Sequence, residues 1–375
     1  MTERLGIGLI GSGFMGRAHA LAFRSVGTVL ELPLAPELEL IADVDQAAAR
    51  AAADALGFGR ATGDWQALVA DPAVDLIAIT APTHLHREMV LAAIAANKPV
   101  YCEKPLAGTL AHAREMTAAA EAAGVATLVG FNYPKNPIAQ VAREMIAGGE
   151  IGEVISFRGI HAEDYMADPD APITWRHDPV GGGVIADLGS HIVSMARYLM
   201  GDIAEVSATL RTVHATRPVA PGATERRAVT TDDEAHMLVR FAGGAEGTLS
   251  ASWVASGRKM QLAFEITGTK GALAFTQERF NELKFYRTGQ QPGRDGFTTI
   301  TARPDHPDYA PFCPAPGHQL GFNDMKVIEV KALIEALAAG EGASPDFREA
   351  TEIQRVIDAA RLSGREGVWT TVGDL

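Results

Sequence analysis

Only two cysteines, Cys102 and Cys313, occur in 375 residues. Two isolated thiols build neither a disulfide framework nor a metal-binding quartet, and they fit a reducing, cytoplasmic setting. Positive charge is also scarce: 33 Lys and Arg stand against 46 Asp and Glu, for a formal net charge of -13. Gripping a nucleic-acid backbone needs clustered cations, so a nucleic-acid partner is disfavoured, as is an anionic membrane surface. Long apolar runs are missing. No window approaches a membrane span. The run after Met1-Thr2-Glu3-Arg4 is too short, and too broken by glycine, to be the core of a signal peptide. There is no internal repeat and no low-complexity tail. What remains is 47% hydrophobic and 21% charged, the make-up of a folded globular protein. Its length favours two domains.

The first half alternates short apolar runs with helical patterns, which specifies a doubly wound parallel α/β sheet. Leu5 to Ile10 reads as a strand. Gly11-Ser12-Gly13-Phe14-Met15-Gly16 follows, and a helix begins after it. This is the order that the dinucleotide fingerprint requires. Gly11 permits the tight turn, Gly13 lets backbone approach a pyrophosphate, and Gly16 lets helix pack on strand. The amides at the helix start, around Phe14 and Met15, then face the phosphates. A ribose-binding acid belongs at the end of the next strand, and Leu38 to Asp43 supplies Asp43. Its distance from the glycines exceeds the usual ~20 residues, which an insertion over 28–37 explains. A carboxylate there accepts from both ribose hydroxyls and repels a 2′-phosphate, so NAD is preferred over NADP. Asp45 suits the cap of the next helix better than Asp43 does.

The strand Asp75 to Thr80 exits through Ala81-Pro82-Thr83-His84-Leu85-His86. Thr80 and Pro82 are therefore expected on the nicotinamide side of the cleft, and His84 and His86 either touch the cofactor there or cap the helix that follows. The next strand ends at Val100-Tyr101-Cys102-Glu103-Lys104-Pro105. A strand finishing on Glu-Lys sets two ionisable groups at the sheet edge where ligands bind, and Pro105 holds Lys104 extended. Here Lys104 is expected to move a proton while nicotinamide takes a hydride. An ordinary lysine pKa of about 10.4 is too high for a base at neutral pH; catalytic lysines work near ~7–8.

From about Asn132 the alternation stops and consecutive strands with glycine turns follow. They predict a large, mostly antiparallel open sheet, with one apolar face along Met260, Leu262, Phe264 and Ile266. The boundaries are thus an NAD-binding domain over 1–131 and an α+β substrate domain over 132–375. On one helix after Gly181-Gly182-Gly183, Asp187 and His191 are four apart and share a face. Leu188, Ile192, Met195 and Leu199 mark the opposite, buried stripe. The pair suits proton exchange near neutral pH. Without a dense ligand cluster, no metal is expected. Trp175-Arg176 lies in a Pro- and Asp-rich loop, where a Trp face can floor a sugar. Asp232-Asp233-Glu234 reads as a solvated turn.

Taken together, these motifs resemble the glucose–fructose oxidoreductase / inositol dehydrogenase / MocA family. The residues that carry the likeness are Gly11 to Gly16 with Ala18-His19, Asp43, Thr80-Ala81-Pro82 with His86, and Glu103-Lys104-Pro105. Gly130-Phe131-Asn132-Tyr133, Trp175-Arg176 and Asp187-Leu188-Gly189-Ser190-His191 complete the set. The likeness is greatest to levoglucosan- and inositol-type dehydrogenases. It implies NAD as cofactor, with Glu103 and Lys104 among its contacts. It also implies a sugar or cyclitol substrate held by Lys104, Asn132, Tyr133, Trp175, Arg176, Asp187 and His191, and a homodimer or homotetramer formed through the C-terminal sheet. One departure is Pro134-Lys135, where such members often carry Arg. Alternatives that stay open are a keto-sugar reductase, a redox-neutral NAD-dependent sugar hydrolase and a non-catalytic NAD-binding regulator.

Overall fold

The computed structural model describes residues 3–375. The chain packs as two compact units. One runs up to Lys135 and takes in Leu320–Glu352; the other comprises Asn136–Gln319 with Ile353–Leu375. A stretch of the C-terminal region, beyond the expected boundary at 131, therefore packs with the first unit.

The first unit is a six-stranded parallel sheet. In chain order its elements are β1 (Glu3–Ile10), α1 (Phe14–Val29), β2 (Leu34–Ala42), α2 (Gln46–Leu56), β3 (Arg60–Thr62), α3 (Trp65–Ala70), β4 (Leu76–Ile79), α4 (Thr83–Ala95), β5 (Val100–Cys102), α5 (Leu110–Ala123) and β6 (Thr127–Val129). Across the sheet the order is β3-β2-β1-β4-β5-β6, the doubly wound arrangement whose ligand crevice opens beyond the carboxyl ends of the strands. β4, β5 and β6 are buried along their whole length, as expected where helices cover both faces. The three-residue β3 escaped the sequence reading because it is too short to show a period.

The expected insertion over 28–37 takes another form. Thr28 and Val29 extend α1, and β2 begins at Leu34, so Leu5 pairs with Pro36. Pro36 is tolerated because β3 pairs only with Leu40 to Ala42, which leaves the other edge of β2 free at the proline. Asp45, not Asp43, caps α2 by accepting from the Ala48 amide.

The second unit holds α6 (Pro137–Ala147), β7 (Val154–Ala162), a π turn (Ile185–Gly189) leading into α7 (Ser190–Met200), β8 (Ile203–Arg211), a small hairpin of β9 (Thr216–Pro218) and β10 (Arg226–Ala228), β11 (Glu234–Phe241), β12 (Glu246–Ser252), β13 (Gln261–Gly268), β14 (Gly271–Thr276), β15 (Glu282–Arg287) and β16 (Thr298–Thr301). Helix α8 (Phe322–Ala339) returns to the first unit and lies against α1. Helix α9 (Phe347–Glu366) begins there, and β17 (Thr370–Thr371) joins the large sheet.

That sheet has nine strands in the order β16-β15-β14-β13-β7-β12-β11-β8-β17. Every neighbouring pair is antiparallel except β7 with β12. β11 and β13 alternate buried with more exposed residues at period two, so one face is the core. The π turn and α7 lie on that face against β7 and β12. Among the described residues no helix is long and apolar enough to cross a membrane.

Candidate active site

Each glycine of the first loop meets a different constraint. Gly11 has φ +97°, a left-handed value that L side chains avoid. A methyl group on Gly16 would meet the Gly11 carbonyl oxygen at 2.2 Å, so bare backbone is needed where α1 crosses β1. A methyl group on Gly13 would meet nothing within 4 Å, so the demand there comes from outside the protein. Gly13 is also the N-cap of α1 and offers the first-turn amides no side chain. A loop whose second glycine faces open space beneath a helix start fits a pyrophosphate. Phe14 is exposed and stacks with Phe322 at 6.0 Å between ring centroids. Asp43 directly follows β2, accepting from the Ser12 amide at 3.0 Å and from the Ser12 hydroxyl. Its other oxygen takes the Val44 amide at 2.7 Å. The carboxylate thus stands beside the glycine loop, where a ribose-binding acid is required.

Thr80, Glu103 and Gly130 leave the ends of β4, β5 and β6 on the same sheet edge. Thr80 ties the edge together, its hydroxyl donating to the Gly11 carbonyl at 2.8 Å. His86 is buried, with Nδ1 at 3.1 Å from the Pro105 carbonyl and Nε2 at 2.8 Å from that of Ala81. Its ring nitrogens serve the two loops that flank Pro82 and Lys104, so its position supports those loops rather than presenting a nitrogen to a ligand.

Glu103 turns inward and Lys104 is half-buried. The Lys104 amide donates back to Glu103 Oε2 at 3.2 Å. Glu103 Oε1 lies 2.8 Å from His19 Nε2 and 3.4 Å from Lys326 Nζ. Burial raises the Glu103 pKa, but the charge of Lys326, the hydrogen bond from His19 and the charge of Lys104 outweigh it and bring it down to about 2. Burial drives the His19 pKa below its ordinary value, against the Glu103 bond. Asn132 and Tyr133 are buried at the exit of β6. Asn132 has φ +62°, and its amide side chain is enclosed with neither polar atom hydrogen-bonded.

In the second unit the expected one-sided stripe is replaced by burial all round. Asp187 sits in the π turn, His191 in the first turn of α7, and both are buried with Leu188 and Ile192. Asp187 Oδ2 accepts from Tyr165 OH at 2.7 Å and from Arg176 Nε at 2.8 Å. Burial and then the Asp187 charge push the Tyr165 pKa well up, so it remains a donor. The Arg176 guanidinium also stacks over Trp175, 4.4 Å from its ring centroid, and Trp175 is 40% exposed. The His191 ring lies 5.4 Å from that of His161, whose Nε2 is 3.1 Å from Glu163 Oε1.

Neither Tyr165 nor Glu163 stands out for chemistry in the sequence, and His161 enters there only as a neighbour in the disfavoured metal reading of Asp187 and His191. For His161 a signal existed: parity along β7 puts it on the buried side with Phe157 and Gly159. The start of the π turn is held by Asp232, whose Oδ2 accepts from the Ile185 amide at 2.7 Å. The expected solvated turn over 232–234 is thereby corrected. Asp232 and Asp233 are buried, and Asp233 accepts from Trp253 Nε1 at 2.6 Å and from the amides of Val213 and His214.

A Rossmann unit with a glycine loop shaped for pyrophosphate, a ribose-binding carboxylate and a lysine at a strand end defines a nicotinamide-dependent oxidoreductase. Comparison with known proteins supplies the particular group. Residues 5–131 match the family model for the oxidoreductase family, NAD-binding Rossmann fold, and residues 139–274 match that for the GFO/IDH/MocA C-terminal domain. The chain belongs to the GFO/IDH/MocA family of NAD-binding oxidoreductases. It is 35% identical over 384 residues to levoglucosan dehydrogenase of Pseudarthrobacter phenanthrenivorans, covering 99% of this chain and 98% of that protein. A solved levoglucosan dehydrogenase in complex with NADH and levoglucosan superposes with a TM-score of 0.95 at 36% identity, over 99% of this chain and all of that one (100%). An NAD-binding oxidoreductase from Klebsiella pneumoniae gives a TM-score of 0.94 at 45% identity, over 98% of this chain and 99% of that one.

Proposed function

We propose that this protein oxidises a hydroxyl of a cyclic sugar or cyclitol with NAD as acceptor, the substrate being a pyranose, an anhydrosugar such as levoglucosan, or an inositol. The observation that carries this reading is the kinship with levoglucosan dehydrogenase along nearly the whole chain. The polar residues are consistent with an uncharged, hydroxyl-rich substrate. Arg176 and Tyr165 are spent on Asp187, which leaves no surplus cation in that group to select an anionic ligand. Trp175 keeps an exposed apolar face of the kind sugars stack on.

When bound, NAD supplies the hydride acceptor. The protein's part is the proton. Lys104 of the first unit, or His191 of the second, takes it from the reacting hydroxyl, with Asp187 holding His191 in place. Lys104 suits the role because the proline after it and the Glu103 bond to its amide fix its backbone. Asp187 suits its role because two donors leave its carboxylate one orientation.

The test is NADH formation from NAD with levoglucosan, inositols, aldopyranoses and glycosides, repeated with NADP and with Lys104→Ala. Turnover with NAD should fall roughly 10²–10⁴-fold in the variant, the range for losing a general base, and NADH binding should persist. Binding of NAD without turnover of any sugar would overturn the dehydrogenase reading in favour of a redox-neutral or regulatory one.

A further inference from the structure

Tyr165 and Arg176 stand eleven positions apart in the chain, yet both donate to the same oxygen of Asp187. The stretch between them is irregular except for the short turn Trp175–His177, so its ends have to be brought together from outside. An irregular stretch must also find partners for its backbone carbonyls. Here the β9–β10 hairpin of the same unit supplies them. Arg217, on β9, is 0% exposed. It donates through Nη2 to the Met166 carbonyl at 2.6 Å, and through Nη1 to the carbonyls of Asp168 at 2.9 Å and Ala171 at 3.3 Å. His214 Nε2, just before the hairpin, lies 3.1 Å from the Ala167 carbonyl. Arg226, on β10, donates to the Pro169 carbonyl and to the Asp170 carboxylate, each at 2.8 Å.

Arg217 is the centre of this grip because it serves both ends of the loop. Met166, whose carbonyl it holds, directly follows Tyr165, and the Met166 amide is held too, by the Trp253 carbonyl at 3.0 Å. At the other end Pro218, the next residue of β9, accepts from the Ile173 amide at 2.8 Å, three positions before Arg176. The carboxylate facing Arg217 is Asp233, 3.9 Å from Nη2 and already bonded to Trp253 Nε1 and two backbone amides. A buried cation costs stability unless it is paired and hydrogen-bonded. The guanidinium meets that demand with the loop's own carbonyls, which diverge as a planar fork of N–H donors requires. A lysine would bring the same charge from a single point.

We infer that Arg217 is a positioning residue: by gathering the loop 166–171 onto the hairpin, it brings Tyr165 and Arg176 onto Asp187 and sets Trp175 beside them. The inference rests on the reading of Asp187 and Trp175 as parts of the sugar site. The loop and the hairpin should then open and close as one body.

The experiment is nitration of Tyr165 by tetranitromethane in the full-length protein, read by peptide mass spectrometry, with Arg217→Lys beside the natural protein. The reagent attacks the phenolate, and a hydroxyl that donates to a carboxylate resists ionisation. Arg217→Lys keeps the charge facing Asp233 and loses the fork. Tyr165 should leave Asp187 and nitrate at least about tenfold faster, the equilibrium factor for one hydrogen bond to a charged group. Tyr309, 0% exposed in the same unit, is the control and should stay unreactive. No rise at Tyr165 overturns the inference. So does a rise shared by Tyr309, because general loosening would explain it. On a sugar that the natural protein oxidises, Arg217→Lys should lower kcat/KM by roughly 10–100-fold, with NADH affinity kept; an unchanged kcat/KM overturns the positioning role. A protein inert toward every sugar tells against the sugar reading alone, and the nitration still decides this inference. Should Arg217→Lys not fold, hydrogen exchange in the natural protein decides. The Ile173 amide should be protected as strongly as the hairpin amides of Val219 and Val229, since segments that open together share one protection. Weaker protection at Ile173 overturns the inference.

Discussion

The same added methyl group should have opposite consequences at Gly13 and Gly16. At Gly16 it collides with a backbone carbonyl at 2.2 Å, and relieving that overlap costs about 1–3 kcal/mol. Gly16→Ala should therefore lower the melting temperature. At Gly13 the methyl group touches no protein atom but stands where the pyrophosphate must come. Gly13→Ala should melt near the natural protein, since glycine and alanine at an N-cap differ by about 1 kcal/mol, while NADH affinity drops at least about tenfold. Calorimetry and NADH fluorescence titration on the two variants separate these effects. Equal losses of affinity and stability in both would count against the assignment of distinct roles. The loop was legible in the sequence because its demands are local: a turn, an approach and a crossing lie within six residues. Lys326 was not legible. Only the fold brings Lys326 to a strand end more than two hundred residues earlier in the chain.

At the scale of elements, the π turn carries Asp187, and Asp232 starts it. Gly183 has φ +95°, and a methyl group there would meet Asp232 Oδ1 at 2.2 Å, so the glycine leaves room for the capping carboxylate. Asp232→Ala removes the acceptor of the Ile185 amide and leaves a buried donor unsatisfied. The expected cost is about 1–3 kcal/mol, with turnover falling further than sugar affinity as Asp187 loses its aim. Asp232→Asn keeps an acceptor oxygen and should recover most of both, as thermal melts and steady-state kinetics will show. Equal behaviour of the two variants would contradict a capping role. The elements themselves followed from pattern: the apolar positions Leu262, Phe264 and Ile266 are buried ones along β13. The buried aspartates did not, because a run of three acids looks solvated until Trp253 and the Ile185 amide are known to face it. The all-round burial of α7 was equally hidden, since β12 and α6, which pack against it along with β7, are brought there only by the fold.

For the molecule as a whole, the buried ionisable groups fix how stability depends on pH. The Glu103 pKa is held at about 2 in the folded state against an ordinary 4.5. A depressed carboxylate contributes stability that is present above the unfolded pKa and is lost as pH falls through the folded one. Glu103 thus contributes stability at neutral pH, which disappears between pH about 4.5 and about 2. His19 and His86 are depressed too, by burial, from an ordinary 6.5. Their unfolded forms take up protons first, so stability begins to decline as pH falls through about 6.5. The two effects share a sign and act in sequence, giving a loss that starts near pH 6.5 and steepens below about 4.5. Urea unfolding at pH 7.5, 6, 5 and 4 should show this two-stage decline. His19→Gln, which cannot take up a proton, should shrink the upper stage to the share of His86. A stability curve that is level from pH 7.5 to 5, or a His19→Gln curve parallel to that of the natural protein, would mean that His19 is not held neutral by the fold.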